Sequence, residues 1–400
     1  MSLLPIILLS AVGLLFIVQM LYLLLLYHAP ARQYRRQERL KAATDASSSL
    51  DETLPALSVI IVTSNQDYLL RRNLPAVLGQ DYPDFEVIVV DDNSTDETPD
   101  ILQQLAAQHP RLRTTFVPPT SRRISHRKLA LTLGIKAARG QWLAFTDADC
   151  CPDSNQWLRS MAAEIAGAPA SDNRPHPVEA VVGYTGYIPA RGLPAILRRF
   201  DNMLHGLRLL GLAACGRAHM AYATNLLYRR DIFFDHKGYS AHLHLERGDD
   251  DIFVNRAIPP RRIRAAVSPD AVVRCTDTTR RRWRLERLGR IATRHHLRGL
   301  CPLLLALDTL TRLLFLAAIV VAIVLAALNG WWVVLAVCAA LWAIRYAVAW
   351  VVWHRAARAL AEPDYGPAIP LLEVVQPLAE LSLRIQYLFS SKQRYRRKQL

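Results

Sequence analysis

Two apolar blocks, separated by a long mixed region, dominate the hydrophobic pattern of this chain. The first block, Leu3–Leu26, holds about 24 residues and no charge. At about 1.5 Å of rise per residue, a helix of this length crosses the roughly 30 Å hydrocarbon core of a bilayer. A cleaved signal peptide is the alternative, but no basic residue precedes the run and no A-x-A-like cleavage site follows it. We therefore expect a transmembrane anchor over residues 1–28.

The second apolar block spans Leu313–Trp353 and is broken at Asn329-Gly330. Two consecutive apolar runs joined by a turn predict a transmembrane hairpin. Because the first arm is short, we expect the hairpin to begin earlier and to cover residues 303–354. Trp331-Trp332 would lie at the membrane surface, where aromatic side chains are enriched. A buried hairpin in a soluble core is the alternative.

Between the blocks, short apolar runs alternate with segments of helical spacing. Leu57–Thr63, Phe85–Val90 and Trp142–Thr146 are continuous apolar runs with β-branched residues, typical of strands buried on both faces. The segments between them place apolar residues on one helical face. This alternation predicts an α/β domain over residues 56–278, built on a doubly wound, mostly parallel sheet.

The segments that flank this domain are polar or amphipathic. Residues 29–55 are mostly polar, and we expect a linker there. Residues 279–302 predict a basic interfacial helix. Residues 366–400 predict an amphipathic interfacial helix with a basic tail, because charged residues interrupt its apolar positions. A further membrane span through Leu371–Leu388 is the alternative.

The positive charge of the chain is concentrated near a predicted membrane span. The formal net charge is +15, from 49 Lys and Arg against 34 Asp and Glu. Arg280–Arg298 alone carries eight Arg and one Glu. Basic segments beside a span are attracted to anionic lipid by about 1 kcal/mol per charge. We therefore expect membrane lipids as partners and no nucleic acid; DNA binding, the alternative, would show a steep salt dependence.

The distribution of basic residues also predicts an orientation. Nothing positive precedes Leu3, whereas Arg32, Arg35 and Arg36 follow the first span. The positive-inside rule then places the 30–300 region and the tail in the cytoplasm. The six cysteines form no C-x-x-C pair, which suits a reducing compartment. The sequence thus predicts a multi-pass protein of the inner (plasma) membrane with a cytoplasmic domain.

Three acidic clusters carry the chemistry that the sequence suggests. Asp91-Asp92 and the pair Asp147 and Asp149 follow predicted strands, and Asp249–Asp251 follows Gly248. Carboxylates at strand ends meet at one edge of an α/β sheet. There they can hold a divalent metal, a nucleotide and a general base. Each cluster also has a structural alternative: turn residues, an acidic loop, or an acidic helix N-terminus.

Four segments together resemble the family 2 glycosyltransferases. They are SVIIVTSN (Ser58–Asn65), VVDDNSTDET (Val89–Thr98), KLALTLGIKAARGQWLAFTDADC (Lys128–Cys150) and GDDDIFVNR (Gly248–Arg256). The resemblance covers roughly Leu57–Trp283. It implies a GT-A fold, a nucleotide-diphosphate sugar donor, a divalent metal (Mn²⁺ or Mg²⁺) and inversion at the anomeric carbon.

The same motifs imply a role for each of several residues along the chain. For the nucleotide, Thr63 and Asn65 would line the pocket and Asp92 would bind the base. For the rest of the donor, Lys128 would approach the diphosphate, Asp147 would contact the donor and Asp149 would hold the metal. For the acceptor, Asn225 would belong to the acceptor-site segment, and Asp250, beside Asp249, would deprotonate the acceptor hydroxyl.

A basic segment near the end of the resemblance departs from part of the family. Processive synthases carry Q-x-x-R-W there, whereas this chain keeps Arg282 and Trp283 without the Gln. The resemblance implies that these two residues clamp the diphosphate or stack on a sugar. A juxtamembrane helix whose arginines reach towards water is the alternative. Processive synthesis with export is not expected.

The function that these features predict is an inverting glycosyltransferase at the cytoplasmic membrane face. The spans and basic segments suggest a lipid-linked or glycan acceptor. A polyprenyl-phosphate glycosyl synthase is a rival within the family, but its phosphate nucleophile needs no base, so Asp249–Asp251 argues against it. A non-catalytic membrane scaffold or nucleotide sensor that retains the fold is the alternative from another class.

Overall fold

The computed structural model describes residues 3–43, 54–118, 125–166, 177–243, 245–276 and 278–389, with only the backbone for 40–43. Its α-helices are α1 (Leu3–Leu21), α2 (Ala29–Ala43), α3 (Asp67–Leu78), α4 (Thr98–Gln108), α5 (His126–Ala137), α6 (Trp157–Ala166), α7 (Leu193–Ala214), α8 (Arg230–Asp235), α9 (Asp251–Ala257), α10 (Arg280–Thr293), α11 (Cys301–Leu328), α12 (Trp332–Ala359) and α13 (Ile369–Phe389). Its strands are β1 (Leu57–Thr63), β2 (Phe85–Asp91), β3 (Leu112–Phe116), β4 (Trp142–Asp147), β5 (Cys150–Pro152), β6 (Ala180–Val182), β7 (Thr185–Tyr187), β8 (Leu226–Arg229), β9 (Ile263–Ala265) and β10 (Val273–Cys275).

A seven-stranded sheet in the order β3-β2-β1-β4-β8-β6-β9 forms the centre of the domain. Its strands β3, β2, β1 and β4 run parallel, whereas β8 is antiparallel to both of its neighbours. Alternate side chains of β1 pack on opposite faces: Ile60 lies against α5, whereas Val59 and Ile61 lie on the side that holds α3. Burial on both faces explains the continuous apolar runs. The predicted α/β, mostly parallel architecture is confirmed.

The strand register determines where the functional side chains lie. Thr63 at the end of β1 is opposite Asp91 on β2, and Val62 is opposite Asp147 on β4. Parallel strands with aligned ends bring the residues that follow them to one edge of the sheet. A second sheet, β5-β10-β7, begins directly after Asp149 and lies beside this edge.

Three helices are long and apolar enough to cross a membrane. They are Leu3–Arg39, Cys301–Leu328 and Trp332–Ala359. The first contains a π-helical turn at Tyr22–Tyr27. α1, α11 and α12 pack against one another, and a turn at Asn329-Gly330 joins the last two. The predicted set of three candidate spans is therefore confirmed, with a hairpin slightly longer than the expected 303–354.

The structure corrects the prediction of a linker over residues 29–55. Ala29–Ala43 is helical and packs against α7 and α12. The segment is rich in Ala, Arg, Gln, Glu and Lys, which are strong helix formers, and tertiary contacts add to that propensity. The remaining part, residues 44–53, lies outside the described residues.

α13 occupies the segment predicted to be an interfacial helix, and its charges have internal partners. Glu373 pairs with Arg345, and Glu380 lies 3.1 Å from Arg208. Both glutamates are buried. The acidic residues that interrupt its apolar pattern thus contact other helices. The predicted basic tail lies outside the described residues.

Candidate functional site

The first turn of α5 joins all three acidic clusters. Arg127 donates from Nη2 to Asp147 Oδ1 at 2.8 Å and from Nε to Asp249 Oδ2 at 3.0 Å. Its neighbour His126 lies 3.2 Å from Asp92 through Nδ1. Clusters more than 150 positions apart in the chain therefore converge at one sheet edge. The structure thus confirms the convergence that the sequence predicted.

The second cluster is bridged by a residue from α10. Arg282 Nη2 lies 3.1 Å from Asp149 Oδ2 and 3.7 Å from Asp147 Oδ2. Burial raises the pKa of Asp149 above its usual value, and the charge of Arg282 offsets this in part. Burial would also raise the pKa of Asp147, but the charges of Arg127 and Arg282 outweigh it and hold that pKa below its usual range. Two neighbouring carboxyl groups thus differ in their affinity for a proton.

Asp147 and Asp149 also suit a divalent cation. One cationic nitrogen, that of Arg282, already lies within 4 Å of both carboxylates. Carboxylate oxygens are the ligands that Mg²⁺ and Mn²⁺ prefer. The donor set therefore fits the metal that the family resemblance implies.

Asp250 is the member of the third cluster that suits a general base. It stands at the N-cap of α9, where Oδ1 accepts the N–H of Asp251 at 2.7 Å and Oδ2 accepts the N–H of Ala223 at 3.0 Å. Burial, together with the charges of Asp249 and Asp251, raises its pKa to about 7. A base works best when its pKa lies near the operating pH.

The flanking aspartates of this cluster have side-chain partners. Asp249 is paired with Arg127, and Asp251 accepts a hydrogen bond from the hydroxyl of Thr293. Both are buried. They surround Asp250 with negative charge while being held in place themselves, which is the arrangement that raises the pKa of the middle carboxyl.

The loop after β1 carries two of the predicted nucleotide residues. Asn65 has a φ of 50°, and its Oδ1 accepts the N–H of Thr95 at 2.8 Å, so it joins this loop to the turn after β2. Asn tolerates this left-handed conformation better than most residues. Thr63 is buried at the strand end, and Asp92 is half-buried. These residues shape the edge where the sequence placed a nucleotide.

Lys128 does not line this edge. Its side chain is completely buried, and Nζ donates to the carbonyl oxygens of His242, Leu245 and Arg247 at 2.6, 2.7 and 2.9 Å. An ammonium group has three hydrogens, and these contacts use all of them. The predicted contact with a diphosphate is therefore corrected: Lys128 holds the loop that leads into the third cluster.

Asn225 is likewise a structural residue. It is 1% exposed, accepts a hydrogen bond from Trp157 Nε1 at 3.0 Å and donates to the carbonyls of Tyr184 and Ala271, both at 2.8 Å. Its amide is thus engaged on both sides. The predicted place in an acceptor site is corrected to a junction between the two sheets.

Trp283 has a different environment from the one the sequence suggested. Its Nε1 donates to Asp201 Oδ2 at 2.8 Å, and the same oxygen accepts Arg287 Nε at 2.7 Å. The ring packs against the apolar core beside α3. Trp283 therefore anchors α10 to α7, whereas Arg282, one residue earlier, faces the acidic clusters.

Arg127 and His126 are the site residues that sequence reasoning missed. They sit in the first turn of α5, directly before Lys128. Successive residues on a helix point about 100° apart, so Arg127 and Lys128 face different surroundings. The Ser125 cap, which fixes where the helix begins, is the signal that could have indicated this turn.

Comparison with known proteins agrees with this geometry. Residues 58–235 match the model of the glycosyl transferase family 2. The chain is 29% identical over 196 residues to "Glycosyltransferase AglE" of Haloferax volcanii, covering 48% of this chain and 59% of that protein. It is 32% identical over 96 residues to the "GalNAc(5)-diNAcBac-PP-undecaprenol beta-1,3-glucosyltransferase" of Campylobacter jejuni, covering 24% and 30%. The matches thus span less than two thirds of each relative.

A solved structure shares the fold over nearly the whole chain. It is the mannosyltransferase PcManGT from Pyrobaculum calidifontis in complex with GDP-Man and Mn²⁺, with a TM-score of 0.50 and 21% identity, covering 94% of this chain and 99% of that one. At this identity the likeness concerns the GT-A fold alone. Family match, relatives and fold agree with the motifs at the sheet edge. The chain therefore contains a glycosyl transferase family 2 domain over residues 58–235.

Proposed function

We propose that this protein moves a sugar from a nucleotide-diphosphate sugar to a hydroxyl group, with inversion at the anomeric carbon. The observation that carries the proposal is the position of Asp250. This carboxyl has a pKa of about 7 and lies in the cluster that Arg127 joins to Asp147. A group that can accept a proton, Asp250, therefore lies in the same site as the arginine and the carboxylates at the sheet edge.

Asp250 takes the proton of the attacking hydroxyl in this proposal. Its raised pKa makes it a stronger base than an exposed aspartate, and about half of the groups are ionised near neutral pH. General base catalysis of this kind typically contributes about 10²–10⁴-fold to the rate. Because the hydroxyl attacks directly, no covalent intermediate forms, and the product has the inverted configuration.

Arg127 and Arg282 stabilise the leaving diphosphate. Both guanidinium groups are about one-third exposed and contact the carboxylates at the sheet edge. Guanidinium groups bind phosphate oxygens through two parallel hydrogen bonds. A divalent cation held by Asp149, with Asp147 beside it, would supply Lewis acidity to the same leaving group.

The nucleotide would lie over the loops after β1 and β2. Asp92 offers an acceptor for a base or ribose, and Asn65 holds the two loops together. Thr63 supports this edge from below, because it is buried at the end of β1. These are the roles that the family motifs imply, and we assign them to the residues at their positions in the structure.

The acceptor is proposed to be lipid-linked, or a glycan close to the membrane. Three helices that are long and apolar enough to span a membrane support a location of the domain beside a bilayer, and α10, which carries Arg282, comes directly before the second of them. The Campylobacter relative is named for an undecaprenol-linked acceptor. Arg32, Arg35 and Arg36 follow the first span, which supports a cytoplasmic site by the positive-inside rule.

The test is sugar transfer by the purified full chain in detergent. UDP-, GDP- and dTDP-sugars are supplied with extracted membrane lipids, with and without Mn²⁺, and both nucleotide release and labelled lipid product are measured. We expect Asp250→Asn to lose about 10²–10⁴-fold in transfer while still binding the donor. Asp231→Asn, an aspartate on α8, is the matched control. Normal turnover by Asp250→Asn would refute the proposed base.

A further inference from the structure

Two cysteines face each other across the small sheet, directly after Asp149. Cys150 on β5 is opposite Cys275 on β10 in an antiparallel pair. Directly opposed residues of such a pair project to the same face, with Cβ atoms about 4.5–5.5 Å apart. Cys151, the next residue, projects to the other face. The two thiols thus form a pair that the register of the sheet imposes.

Both thiols also contact the carboxylate of Asp149. Cys150 Sγ lies 3.5 Å from Oδ1, and Cys275 Sγ lies 3.5 Å from Oδ2. The three side chains are buried, with exposed fractions of 3% for Asp149, 1% for Cys150 and 3% for Cys275. One ligand atom from each lies within 4.8 Å of the others. Two sulfurs and one oxygen therefore surround a common centre.

The spacing and the atom types suit a thiophilic divalent cation. Zinc binds thiolate sulfur at about 2.3 Å and carboxylate oxygen at about 2.0–2.2 Å, so tetrahedral ligands lie somewhat less than 4 Å apart. The observed sulfur–oxygen distances of 3.5 Å, within a set whose atoms lie at most 4.8 Å apart, are close to that spacing. Thiolates favour Zn²⁺ and similar soft ions, whereas oxygen-only sets favour Mg²⁺ and Mn²⁺.

We propose that Asp149, Cys150 and Cys275 form a binding site for a thiophilic divalent cation such as Zn²⁺ or Cd²⁺. Binding deprotonates both thiols, and their two protons go to solvent. The fourth position is open, as in zinc sites with three protein ligands. Arg282, which is one-third exposed, lies 3.1 Å from Asp149 Oδ2 and is the neighbouring cation that a bound ion would have to displace from this carboxylate.

This site would share Asp149 with the proposed oxygen-ligated metal. A bound Zn²⁺ would therefore compete with Mn²⁺ or Mg²⁺ and inhibit transfer. That consequence rests on the proposed function, whereas binding of the thiophilic ion does not.

The experiment uses Cd²⁺ alone as the probe, because cadmium–thiolate bonds give an ultraviolet charge-transfer band. Cd²⁺ is titrated into the full chain in detergent with thiols reduced, and the band is recorded for wild type, Cys150→Ser, Cys275→Ser and Cys151→Ser. The last variant is the matched control, since its thiol lies on the opposite face of β5. Circular dichroism confirms that each variant is folded.

We expect one equivalent of Cd²⁺ to produce the band in wild type and Cys151→Ser, with reversal by a chelator. Cys150→Ser and Cys275→Ser should bind at least tenfold more weakly, and binding should tighten as pH rises. An unchanged band in both variants would refute the site. A Cys150–Cys275 disulfide that forms during purification without reductant, and that is not reduced when reductant is then added, would also refute the site.

Inhibition is measured separately. Zn²⁺ should inhibit transfer by wild type and Cys151→Ser, and inhibit Cys150→Ser at least tenfold less. A cadmium band without any transfer activity would leave the site supported and count against the proposed function. Equal inhibition of wild type, Cys151→Ser and Cys150→Ser would show that Zn²⁺ acts elsewhere and would contradict the shared role of Asp149.

Discussion

Replacing Asp250 by asparagine should stabilise the protein at alkaline pH while it removes transfer activity. The pKa of this carboxyl rises from 3.8 to about 7 because of burial and the charges of Asp249 and Asp251. Between about pH 4 and 7 the folded protein keeps a proton that the unfolded chain has released. The wild type therefore loses stability as pH rises through this range, and the loss is complete above the folded pKa.

The size of the effect follows from the two pKa values. At about 1.4 kcal/mol per pKa unit, the raised pKa of Asp250 costs about 4 kcal/mol of stability at pH 8 and only about 2 kcal/mol at pH 5. Asparagine avoids this cost and can still accept the N–H of Ala223 through its amide oxygen, but its NH₂ group cannot accept the N–H of Asp251, and that lost hydrogen bond costs about 1 kcal/mol at both pH values. For a domain of this size the gain in Tm at pH 8 is on the order of 10 °C.

The assay is thermal unfolding of wild type and Asp250→Asn at both pH values. Asp231→Asn is the control, because a hydrogen bond from Arg229 holds the pKa of Asp231 below its usual value, so its loss should not stabilise. An equal Tm for wild type and Asp250→Asn at pH 8, or a gain that is as large at pH 5, would refute the raised pKa.

Three further predictions concern the residues around this carboxyl. Asp249→Asn should lower the pKa of Asp250 and move the acid limb of the kcat/KM profile to lower pH; an unmoved limb would contradict the charge coupling. Arg127→Leu should cost about 1–3 kcal/mol in chemical denaturation, since it leaves the buried Asp249 without its cationic partner and Asp147 with Arg282 alone, and an unchanged stability would contradict the bridge. Lys128→Met should lower stability by about 1–3 kcal/mol and leave the donor KM unchanged, whereas a raised KM with unchanged stability would restore its predicted place at the diphosphate.

The sheet and its functional edge follow from the sequence because they depend on local patterns. Leu57–Thr63 and Phe85–Val90 are apolar runs long enough for one strand each, and the observed strands differ from them by at most one residue. Parallel strands with short connections can be ordered in few ways. The carboxylates after those strands therefore had to meet.

Individual side-chain roles in the site were less predictable. Lys128 and Arg127 are adjacent basic residues, and only the contacts with the carbonyl groups of His242, Leu245 and Arg247 decide that Lys128 is the buried one. Asn225 lies in a segment that resembles the family's acceptor site, but its amide donates to the carbonyls of Tyr184 and Ala271, which are more than 40 positions away in the chain. Long-range contacts of this kind leave no periodic signal.

The charged residues of α13 were also hard to interpret from the sequence. Acidic residues at positions 373 and 380 suggested a helix lying at the water interface, yet each pairs with an arginine of another helix. A charged residue within an apolar sequence pattern is interpreted as solvent-exposed unless its oppositely charged partner is known. Arg345 and Arg208 are distant in sequence, so their pairing emerges only in the folded chain.

The central claim is that the three acidic clusters form one nucleotide-sugar site that uses a divalent cation. Its most direct measurement is a thermal-shift screen of the detergent-purified chain against UDP-, GDP- and dTDP-sugars, with and without Mn²⁺, for wild type and Asp149→Ala. A bound donor stabilises by mass action. We predict that one class of donor raises the Tm of the wild type when Mn²⁺ is present and does not do so for Asp149→Ala. A shift of equal size in Asp149→Ala, or no shift with any donor, would contradict the claim.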